Sequence, residues 1–533
     1  MNNEFDAIVV GLGLNGGWAV KELTEAGLKV LAIDSGKFLK KNYFKYSINK
    51  EDLESTKDKI KFIKNKLTHN KKDFINRLVI NRSKKIWQSS NNDPYSSAYD
   101  IFEWYNSTSI GGRGHIWGRV SPRFTDREFK ADWTNNSDFK WPVSLKDLKN
   151  FYSEVEKLLI LGGDNKDNVI NRTFVNKRSL NLIEKELVKK IKNFIPKSAI
   201  KTNSILEYEP GPISPMLDRA IKTKKLTILS NSIVKNLIID ENNFVNGVNV
   251  YDKVKNKEKI FKSKIIILAA SPFQTIRILR SSMSENFPDG IGNSSNLLGK
   301  YIFDHIHTFR TIQFNNNYEF KNNLAKEYFN PFKPNTNSHG FYINPFKMRS
   351  HYKNEYKGQF SFQGYINPLQ RIFHFDSFGE MIPKIENRIN FDFSNKNKNN
   401  MPIPKIYFKY SDSEKEMWEH QNLIMKKIVD EFFKLPMIKK RNLHIKNFLS
   451  NYSAPIPGSS SHEMGGARMG NSAHKSVVNK DGRLWDSPNV VVCDASIFPS
   501  CGYQNIAITS MALTIKNTRN IVKVKRNSKL TFI

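Results

Sequence analysis

The first residues of the chain carry two short apolar runs that flank an amphipathic segment. Phe5 to Val10 has the pattern of a buried strand, Leu14 to Ala26 that of a helix with one apolar face, and Lys29 to Ile33 that of a second strand. Gly27 stands just past the helix, where a residue free to adopt positive φ ends it without steric cost. The order predicts one strand, helix, strand unit.

Residues 46–104 have a different character, because they are rich in Lys, Asn and Ser. A helical pattern within them places Leu53, Ile60, Ile63 and Leu67 on one apolar stripe. Such a stripe needs an apolar surface to pack on. We therefore expect a basic insertion that covers another part of the molecule.

Strand patterns return from about residue 226 to 251, with Glu241 to Asn243 as the turn between two alternating runs. Lys264 to Ala270 follows as a buried strand. The carboxy-terminal part contains a further apolar strand, Val490 to Cys493, then a turn with Pro and Gly, and a helix that begins near Asn505.

Residues 300–450 combine aromatic-rich strands with one clear helix, Glu414 to Phe433. Its predicted start is Ser413, because Glu416 three residues later completes the spacing of a capping box. No internal repeat is present. This region is predicted to be a second domain.

The length and composition of the chain indicate a soluble protein of more than one domain. A chain of 533 residues exceeds the size at which a single core stops growing, and no run approaches the roughly 18 apolar residues that span a membrane. Met1 to Asp6 lacks the pattern of a secretory signal. The two cysteines, Cys493 and Cys501, are too few for a disulfide framework and have no metal-ligand spacing. We expect a cytoplasmic location.

The charge balance is strongly basic, with 84 Lys and Arg against 51 Asp and Glu, a net charge of +33. Such a charge suits an acidic partner such as nucleic acid, an anionic membrane surface or a charged glycan. The lysines are spread along the whole chain beside abundant asparagine, however, which a general compositional bias explains equally well. We therefore expect no nucleic-acid partner.

A glycine motif joins the first strand to the first helix. Gly11, Gly13 and Gly16 have the GxGxxG spacing, and Asp34 ends the second strand 23 residues after Gly11. The first glycine permits a tight turn, the second lets a pyrophosphate approach the backbone, and the third lets the helix pack on the strand. The helix amino terminus offers free N–H groups to the phosphates. The motif predicts a dinucleotide site without separating FAD from NAD.

Two carboxy-terminal blocks favour FAD over NAD as the dinucleotide. His462-Glu463-Met464-Gly465-Gly466 is followed by Val492-Cys493-Asp494-Ala495-Ser496 and then by Asn505. With the glycine motif, these blocks resemble the glucose-methanol-choline (GMC) oxidoreductases, FAD enzymes whose signature joins a catalytic His to a second His or Asn. Three looser blocks agree: Gly111-Gly112 with Trp117, Leu268 to Ser271, and Gly292-Asn293-Ser294 to His305.

The resemblance implies an α/β, Rossmann-like FAD-binding domain and a second, α+β substrate-binding domain. The FAD-binding domain would be discontinuous, formed by residues 1–45, 105–125, 200–300 and 455–525. Residues 126–199 and 301–454 would form the substrate-binding domain. The segment 46–104 would be the covering insertion.

The resemblance also implies the site residues. Those expected to hold FAD are Gly11, Gly13, Leu14, Asn15, Gly16, Asp34, Gly112, Val234, Asp494, Ala495 and Ile506. The expected catalytic pair is His462 and Asn505. Transfer of a hydride from a CH–OH carbon to flavin N5 requires the hydroxyl proton to leave, and an imidazole of ordinary pKa near 6.5 suits that task. An Asn amide donates to the same oxygen without competing for the proton.

Each assignment has a plainer alternative. His462 would otherwise be a structural histidine at a turn, and Asn505 a helix cap, since Asn is a preferred N-cap residue. A metalloprotease motif is excluded because Gly466 stands where the second histidine is required. Cys493 and Cys501 are expected to be small core residues. No metal site is predicted.

The chain departs from the family at two places. Ile506 stands where many members have proline after the signature asparagine, and Ile116 stands where some members attach FAD through a histidine, with His115 one place away. We therefore expect non-covalent FAD.

Three functions remain open at this point. The preferred one is an FAD-dependent oxidoreductase of an alcohol, polyol or sugar. The second is a lyase or other non-redox flavoprotein of the same fold, and the third is a basic nucleic-acid binder with a vestigial flavin site. The substrate and the electron acceptor, whether oxygen, a quinone or a partner protein, are left open.

Overall fold

The computed structural model describes most of the chain outside the predicted basic insertion. The described residues are 4–40, 93–99, 102–107, 109–115, 117–164, 172, 175–195, 199–202, 204–208, 211–316, 340–347, 358–368, 371–439 and 455–526. The stripe Leu53, Ile60, Ile63 and Leu67 therefore lies outside the described residues, as does Ile116.

Eight α-helices occur in these ranges. They are α1 Leu14–Glu25, α2 Asp126–Lys130, α3 Leu145–Leu158, α4 Leu182–Ile191, α5 Pro215–Lys222, α6 Pro272–Arg280, α7 Asp412–Phe433 and α8 Ala507–Arg526. None of the described helices is both long enough and apolar enough to cross a membrane.

The strands of the same residues are short. They are β1 Glu4–Phe5, β2 Ala7–Val10, β3 Val30–Ile33, β4 Ser96–Ser97, β5 Leu161–Gly163, β6 Asn176–Lys177, β7 Ala199–Thr202, β8 Ile205–Leu206, β9 Leu226–Leu229, β10 Ser232–Ile239, β11 Val245–Asp252, β12 Lys257–Ser263, β13 Ile266–Leu268, β14 Ile306–Gln313, β15 Asn315–Asn316, β16 Phe341–Lys347, β17 Gln359–Asn367, β18 Ile372–Gly379, β19 Arg388–Lys396, β20 Pro402–Tyr407, β21 Ile438–Lys439 and β22 Val490–Val492.

A five-stranded parallel sheet contains the predicted strand, helix, strand unit. Its order is β22, β13, β2, β3, β9, and each neighbouring pair is parallel. Strands β2, β3, β13 and β22 consist of fully buried apolar residues, as expected where both faces of a sheet are covered. Helix α1 packs on β2 and β3 of this sheet, and helices α5 and α8 pack against α1.

The strand order places a crevice at the carboxyl end of β2. From β2 the chain runs to β3 on one side, while β13 and β22 lie on the other side. Ligands of open α/β sheets bind at such a reversal, because the loops above neighbouring strands diverge there. The glycine motif follows β2 directly, so the fold puts it at the mouth of this crevice.

A second sheet is antiparallel and lies in the predicted substrate-binding region. Its order is β14, β18, β17, β16, β7, and helix α7 packs against β14. Strand β7, at Ala199–Thr202, pairs with β16, so the predicted boundary at residue 200 falls within a strand of this sheet.

Several local predictions can be compared with the structure. Gly27 has a φ of +95° just past α1, and residues 241–243 form the turn between β10 and β11, as expected. The start of α7 was predicted wrongly. Its N-cap is Ser411, which forms the capping box with Glu414, because the sequence contains two overlapping S-x-x-E patterns and the earlier one is used.

Candidate active site

The three glycines of the amino-terminal motif have different surroundings. A Cβ at Gly11, where φ is +91°, would lie 2.4 Å from the backbone oxygen of Ala269, and one at Gly16 would lie 1.8 Å from the oxygen of Gly11. A Cβ at Gly13 would meet no atom within 4 Å. The first and third glycines are thus required by packing, whereas the second borders open space that a ligand's phosphates can approach.

Asp34 lies at the end of β3, where the motif predicts it. Its carboxylate accepts hydrogen bonds from the N–H groups of Leu12 and Gly36, both at 2.7 Å. Burial raises the pKa of this carboxyl, and the two N–H groups oppose that rise. Asp34 therefore holds the glycine loop in shape and lies beside it.

A short 3₁₀ helix, Gly112–His115, lies directly on the glycine loop. Gly111 donates its N–H to the oxygen of Leu12 at 2.9 Å. Gly112 has a φ of +53°, and a Cβ there would lie 3.4 Å from the Cα of Gly13. The predicted residues Gly112 and Gly13 are therefore neighbours, although they are far apart in sequence.

Arg113 joins this 3₁₀ helix to the carboxy-terminal signature. Its guanidinium donates to the Ser461 oxygen at 2.7 Å and to the Glu463 carboxylate at 2.6 Å. Glu463 is buried, so a charge partner is needed to offset its desolvation. His462, between the two contacts of Arg113, is thereby tied to the glycine loop.

The two carboxy-terminal blocks are also docked on each other. Gly465 donates its N–H to the oxygen of Ala495 at 3.1 Å, and Ala467 to that of Ser496 at 2.9 Å. The Asp494 carboxylate accepts from the Thr275 hydroxyl and from the Ser496 N–H, and burial raises its pKa. Asp494 and Ala495 thus follow the carboxyl end of β22, at the same edge of the parallel sheet as the crevice above β2.

Backbone pairing brings a second histidine to His462. Phe303 and Met464 form an antiparallel bridge with hydrogen bonds of 3.0 and 2.9 Å. Two residues further in this register, His305 is opposite His462, and their Nδ1 atoms are 3.0 Å apart. His305 lies just before β14 and is fully buried.

The partners of His305 assign the tautomer of His462. His305 Nε2 lies 2.8 Å from the Gly502 oxygen, and a carbonyl can only accept, so Nε2 carries a proton. Burial lowers the pKa of His305 to about 4, so the ring is neutral and its Nδ1 has a lone pair. His462 must then donate from Nδ1, which leaves the lone pair of neutral His462 on Nε2.

The same surroundings keep His462 neutral. Burial, then the neighbouring imidazoles of His305 and His307, then the Arg113 guanidinium, hold its pKa well below the ordinary value. Its backbone N–H donates to Ser460, whose hydroxyl donates to Asp304. His462 is therefore a neutral imidazole that is fixed in place.

Asn505 lies in the loop that carries Gly502, just before α8. Its amide oxygen is buried and has no hydrogen-bond partner among the described residues. Helix α8 begins at Ala507, and the Ile506 oxygen accepts the N–H of Ser510 at 3.0 Å. Ile506 thus occupies the N-cap, so Asn505 is not the cap that the plainer alternative predicted.

Asn15 joins the start of α1 to the start of α8. Its side-chain amide donates to the Ser510 hydroxyl at 2.6 Å. Asn15 was predicted to bind the cofactor, and the structure gives its amide this bond between helices. The neighbouring Leu14 is half-buried and packs against Gly114 of the 3₁₀ helix.

The contacts close a ring that begins and ends at the glycine loop. In order they are Gly13 to Gly112, Arg113 to Ser461 and Glu463, His462 to His305, His305 to Gly502, and Ser510 to Asn15. The ring brings most of the predicted residues together. Val234, a buried residue of β10, is outside it, although the N–H of Ser232 at the start of β10 donates to the backbone oxygen of Asp34.

Sequence reasoning missed several residues that position His462. They are Arg113, Asp304, His305 and Ser460, together with Glu463, which was quoted only as part of a motif. Asp304 is fully buried, and burial raises its pKa to about 6. The only signal for His305 was its place at the end of a looser family block. Its contact with His462 depends on a backbone register that one sequence does not reveal.

The residues present fit FAD. The first turn of α1 has no acidic residue and no side-chain cap, so its N–H groups face the open space beside Gly13. The unpaired amide oxygen of Asn505 lies at the start of α8, on the same ring of contacts. Within the described ranges, no group of three His, Cys, Asp or Glu side chains has an arrangement that would hold a metal ion.

The fold has a counterpart among solved structures. A crystal structure of pyridoxine 4-oxidase from Mesorbium loti superposes with a TM-score of 0.63 at 14% identity, covering 97% of this chain and 98% of that one. This likeness confirms the predicted α/β fold. A 2-methyl-1,2-propanediol dehydrogenase from Mycolicibacterium austroafricanum is 26% identical over 295 residues, 52% of this chain and 51% of that protein.

Two further matches are to a second curated protein and to a family model. The fructose dehydrogenase large subunit from Gluconobacter japonicus is 24% identical over 222 residues, 37% of this chain and 41% of that protein. Residues 383–514 match the family model described as GMC oxidoreductase. The predicted resemblance to the GMC oxidoreductases is therefore borne out by a family model over residues 383–514. The chain spans about half the length, or less, of the curated relatives it matches, and FAD is the cofactor that the resemblance to this family implies.

Proposed function

We propose that this protein is an FAD-dependent oxidoreductase of the GMC family that oxidises a CH–OH group of an alcohol, polyol or sugar. The curated relatives are named as dehydrogenases of a diol and of fructose, which supports this substrate class. Bound FAD supplies the acceptor for the hydride. The protein's own task is to take up the hydroxyl proton while the carbonyl forms.

The observation that carries the proposal is the hydrogen-bond chain from the Gly502 oxygen through His305 to His462. It leaves Nε2 of His462 as a lone-pair nitrogen on a ring whose orientation is fixed. In our proposal, Nε2 accepts the proton of the substrate hydroxyl. The lowered pKa of His462 keeps the base unprotonated before substrate binds.

Asn505 is the proposed partner of His462 at the substrate oxygen. Its buried amide has an unused polar atom, and the oxygen and nitrogen ends of an amide are interchangeable by a flip. With the amide flipped, its nitrogen takes that position and donates a hydrogen bond to the oxygen of the substrate hydroxyl. In our proposal the amide then orients the hydroxyl so that its proton points at His462.

We propose that FAD is held without a covalent bond. The ADP half would lie along Gly11, Gly13 and Gly16, with Asp34 beside its ribose. His115, the nearest candidate for a covalent link, donates from Nε2 to the Ile110 oxygen at 2.6 Å and is buried. Acid precipitation should release the flavin into the supernatant. Flavin retained in the pellet would contradict this part of the proposal.

The activity is tested by anaerobic mixing of the FAD-loaded protein with polyols, sugars and amino alcohols. At least one of them should bleach the flavin absorbance. His462→Ala should slow that bleaching by about 10²- to 10⁴-fold, because it removes the base. His474→Ala is the matched control, since His474 is exposed, and it should leave the rate unchanged. Equal rates in both variants would refute His462 as the base.

The same reduced protein serves to identify the electron acceptor. Reoxidation with air indicates an oxidase, and reoxidation only with a quinone or a partner protein indicates a dehydrogenase. A folded, FAD-loaded protein whose flavin no alcohol reduces would instead favour the non-redox alternative.

A further inference from the structure

The antiparallel sheet β14, β18, β17, β16, β7 has one face that helix α7 covers and one face that is turned away from α7. On the covered face, the Thr308 hydroxyl contacts Asn422 of α7 at 3.2 Å, and Gly379 lies against Met417. Side chains alternate between the two faces along a strand. His307 of β14 and Asp376 of β18 are therefore on the opposite face.

This opposite face begins at His462. The ring of Phe378, on β18, lies 5.2 Å from the His462 ring, centroid to centroid, and 4.9 Å from that of His307. The Ser361 hydroxyl, on β17 opposite Phe378, donates to the Tyr503 oxygen at 3.3 Å, two residues before Asn505. One end of the face thus packs against both predicted catalytic segments.

Asp376 lies one step further along the same face, about 7 Å from Phe378 at the usual rise of two residues. Two imidazoles flank it: His307 Nε2 is 3.3 Å from one carboxylate oxygen, and His374 Nε2 is 3.2 Å from the other. Their Nδ1 atoms face the hydroxyls of Ser459 and Thr311. Each imidazole can therefore donate from Nε2 to Asp376 while its Nδ1 shares a hydrogen bond with a hydroxyl.

The carboxylate of Asp376 remains an acceptor. Burial raises its pKa, but the charges and hydrogen bonds of His374 and His307 outweigh burial and hold that pKa well below the ordinary value. Each carboxylate oxygen has accepting capacity beyond its one imidazole. The side chain of Asp376 is 22% exposed, so this capacity is open to a ligand.

Gln363 provides an independent sign of a ligand at the same place. It is directly opposite Asp376 in the register of β17 and β18, on the same face, and only 8% exposed. Its amide oxygen is buried with no hydrogen-bond partner among the described residues. A buried acceptor without a donor is costly, and a bound donor group removes that cost.

We propose that Asp376 and Gln363 form a substrate subsite that binds a second hydrogen-bond donor, a hydroxyl or an ammonium group, of an alcohol whose reacting carbon lies at His462. The proposal rests on the proposed function and deepens it. The substrate is then a diol, polyol, sugar or amino alcohol of several carbons. Acids are disfavoured, because a carboxylate or phosphate would meet the ionised Asp376.

Three alcohols of equal chain length test the subsite: 1-pentanol, 1,5-pentanediol and 5-amino-1-pentanol. Under anaerobic conditions, the diol or the amino alcohol should half-saturate flavin reduction at a concentration about tenfold or more below that of 1-pentanol, as one charge-assisted hydrogen bond allows. The better of the two identifies the donor group. Equal half-saturation by all three would overturn the proposal.

Two variants assign the effect to named residues. Asp376→Asn and Gln363→Met should each remove most of the advantage over 1-pentanol, measured within each variant as the ratio of the half-saturating concentrations. Ser377→Ala is the matched control, because Ser377 is the buried neighbour on the other face of β18, and it should keep the advantage. Flavin content and melting temperature show which variants are folded, and Gln363→Met keeps the test valid if Asp376→Asn is not.

A binding measurement separates failure of the subsite from failure of the proposed function. Isothermal titration of the FAD-loaded protein with the same three compounds does not need turnover. Tighter binding of the diol or amino alcohol, lost in Gln363→Met, with no flavin reduction would retain the subsite and reject the oxidation. Equal weakening of all three compounds by the variants would reject the subsite and leave the oxidation intact.

Discussion

His305 accepts a hydrogen bond from the Nδ1–H of His462, with 3.0 Å between the two Nδ1 atoms. Because His305 is itself fixed by the Gly502 oxygen, this contact selects one of the two neutral tautomers of His462. It also ties His462 to the loop that carries Asn505. If His462 is the base that we propose, His305 is a positioning residue, which acts on the reaction through His462.

His305→Leu should slow flavin reduction, because His462 then has both tautomers available and loses its anchor. We expect a fall of about 10- to 100-fold, in the range of partners that orient a functional imidazole. His305→Asn offers an amide oxygen as the acceptor and should recover part of the rate. The measurement is anaerobic stopped-flow reduction of the bound flavin.

Nitrogen NMR reports the tautomer of His462, which would not change if His305 had only a structural role. In the unsubstituted protein, the ¹⁵N shifts of His462 should show a protonated Nδ1 and an unprotonated Nε2. His305→Leu should shift this population and His305→Asn should keep it. A His462 ring protonated on Nε2 in the unsubstituted protein would disprove the tautomer and, with it, the role of Nε2.

The two glycines at positions 13 and 16 should respond differently to alanine. Gly16→Ala should prevent folding, because its Cβ would lie 1.8 Å from the Gly11 oxygen. Gly13→Ala should fold, since its Cβ meets nothing within 4 Å, but should lose FAD because the methyl group occupies the phosphates' approach. Flavin absorbance per protein and the melting temperature without FAD distinguish the two. A Gly13→Ala protein with full FAD content would refute the predicted phosphate position.

Much of this site was predictable from the sequence, and one part was not. Gly11, Gly13, Gly16 and Asp34 follow strands in the order that a parallel sheet requires, so periodicity and spacing are sufficient to predict them. The pairing of Phe303 with Met464 joins distant segments through backbone hydrogen bonds, which leave no periodic signal in the residues. For that reason His305 was not recognised.

The misplaced start of α7 illustrates a second limit. Ser411 and Ser413 each have a glutamate three residues later, so the local pattern fits two starts equally well. The structure uses Glu414, which is fully buried and whose carboxylate also accepts the Ile382 N–H at 3.2 Å. The tertiary contact at Ile382, which the sequence does not show, distinguishes the two registers.

This difference gives a stability prediction. Ser411→Ala should lower the free energy of unfolding by about 0.5–2 kcal/mol, the usual cost of a lost N-cap. Ser413→Ala removes a hydroxyl from the first turn of α7 and should change stability by less than about 0.5 kcal/mol. Urea midpoints of the two variants provide the comparison. A larger loss for Ser413→Ala would restore the later start of the helix.

The pH dependence of flavin reduction should reflect the lowered pKa of His462. The base is competent when neutral, that is, above its pKa, so a lowered pKa extends the active range downwards. At saturating substrate, the rate should stay level as the pH falls from 8 to about 6.5, the ordinary pKa of histidine, and decline only below it. A decline already complete at pH 6.5 would contradict this prediction.

Arg113 provides the means to shift that profile. Arg113→Met removes a positive charge near His462 and leaves the negative charge of Glu463 without its partner, and both changes favour the imidazolium form. The decline should therefore move to higher pH. Arg113→Lys keeps the charge and should leave the profile near its original position, while Arg113→Met/Glu463→Gln should fall between the two. If Arg113→Met had the same profile as the unsubstituted protein at full FAD content, the Arg113 charge would have no part in keeping His462 neutral.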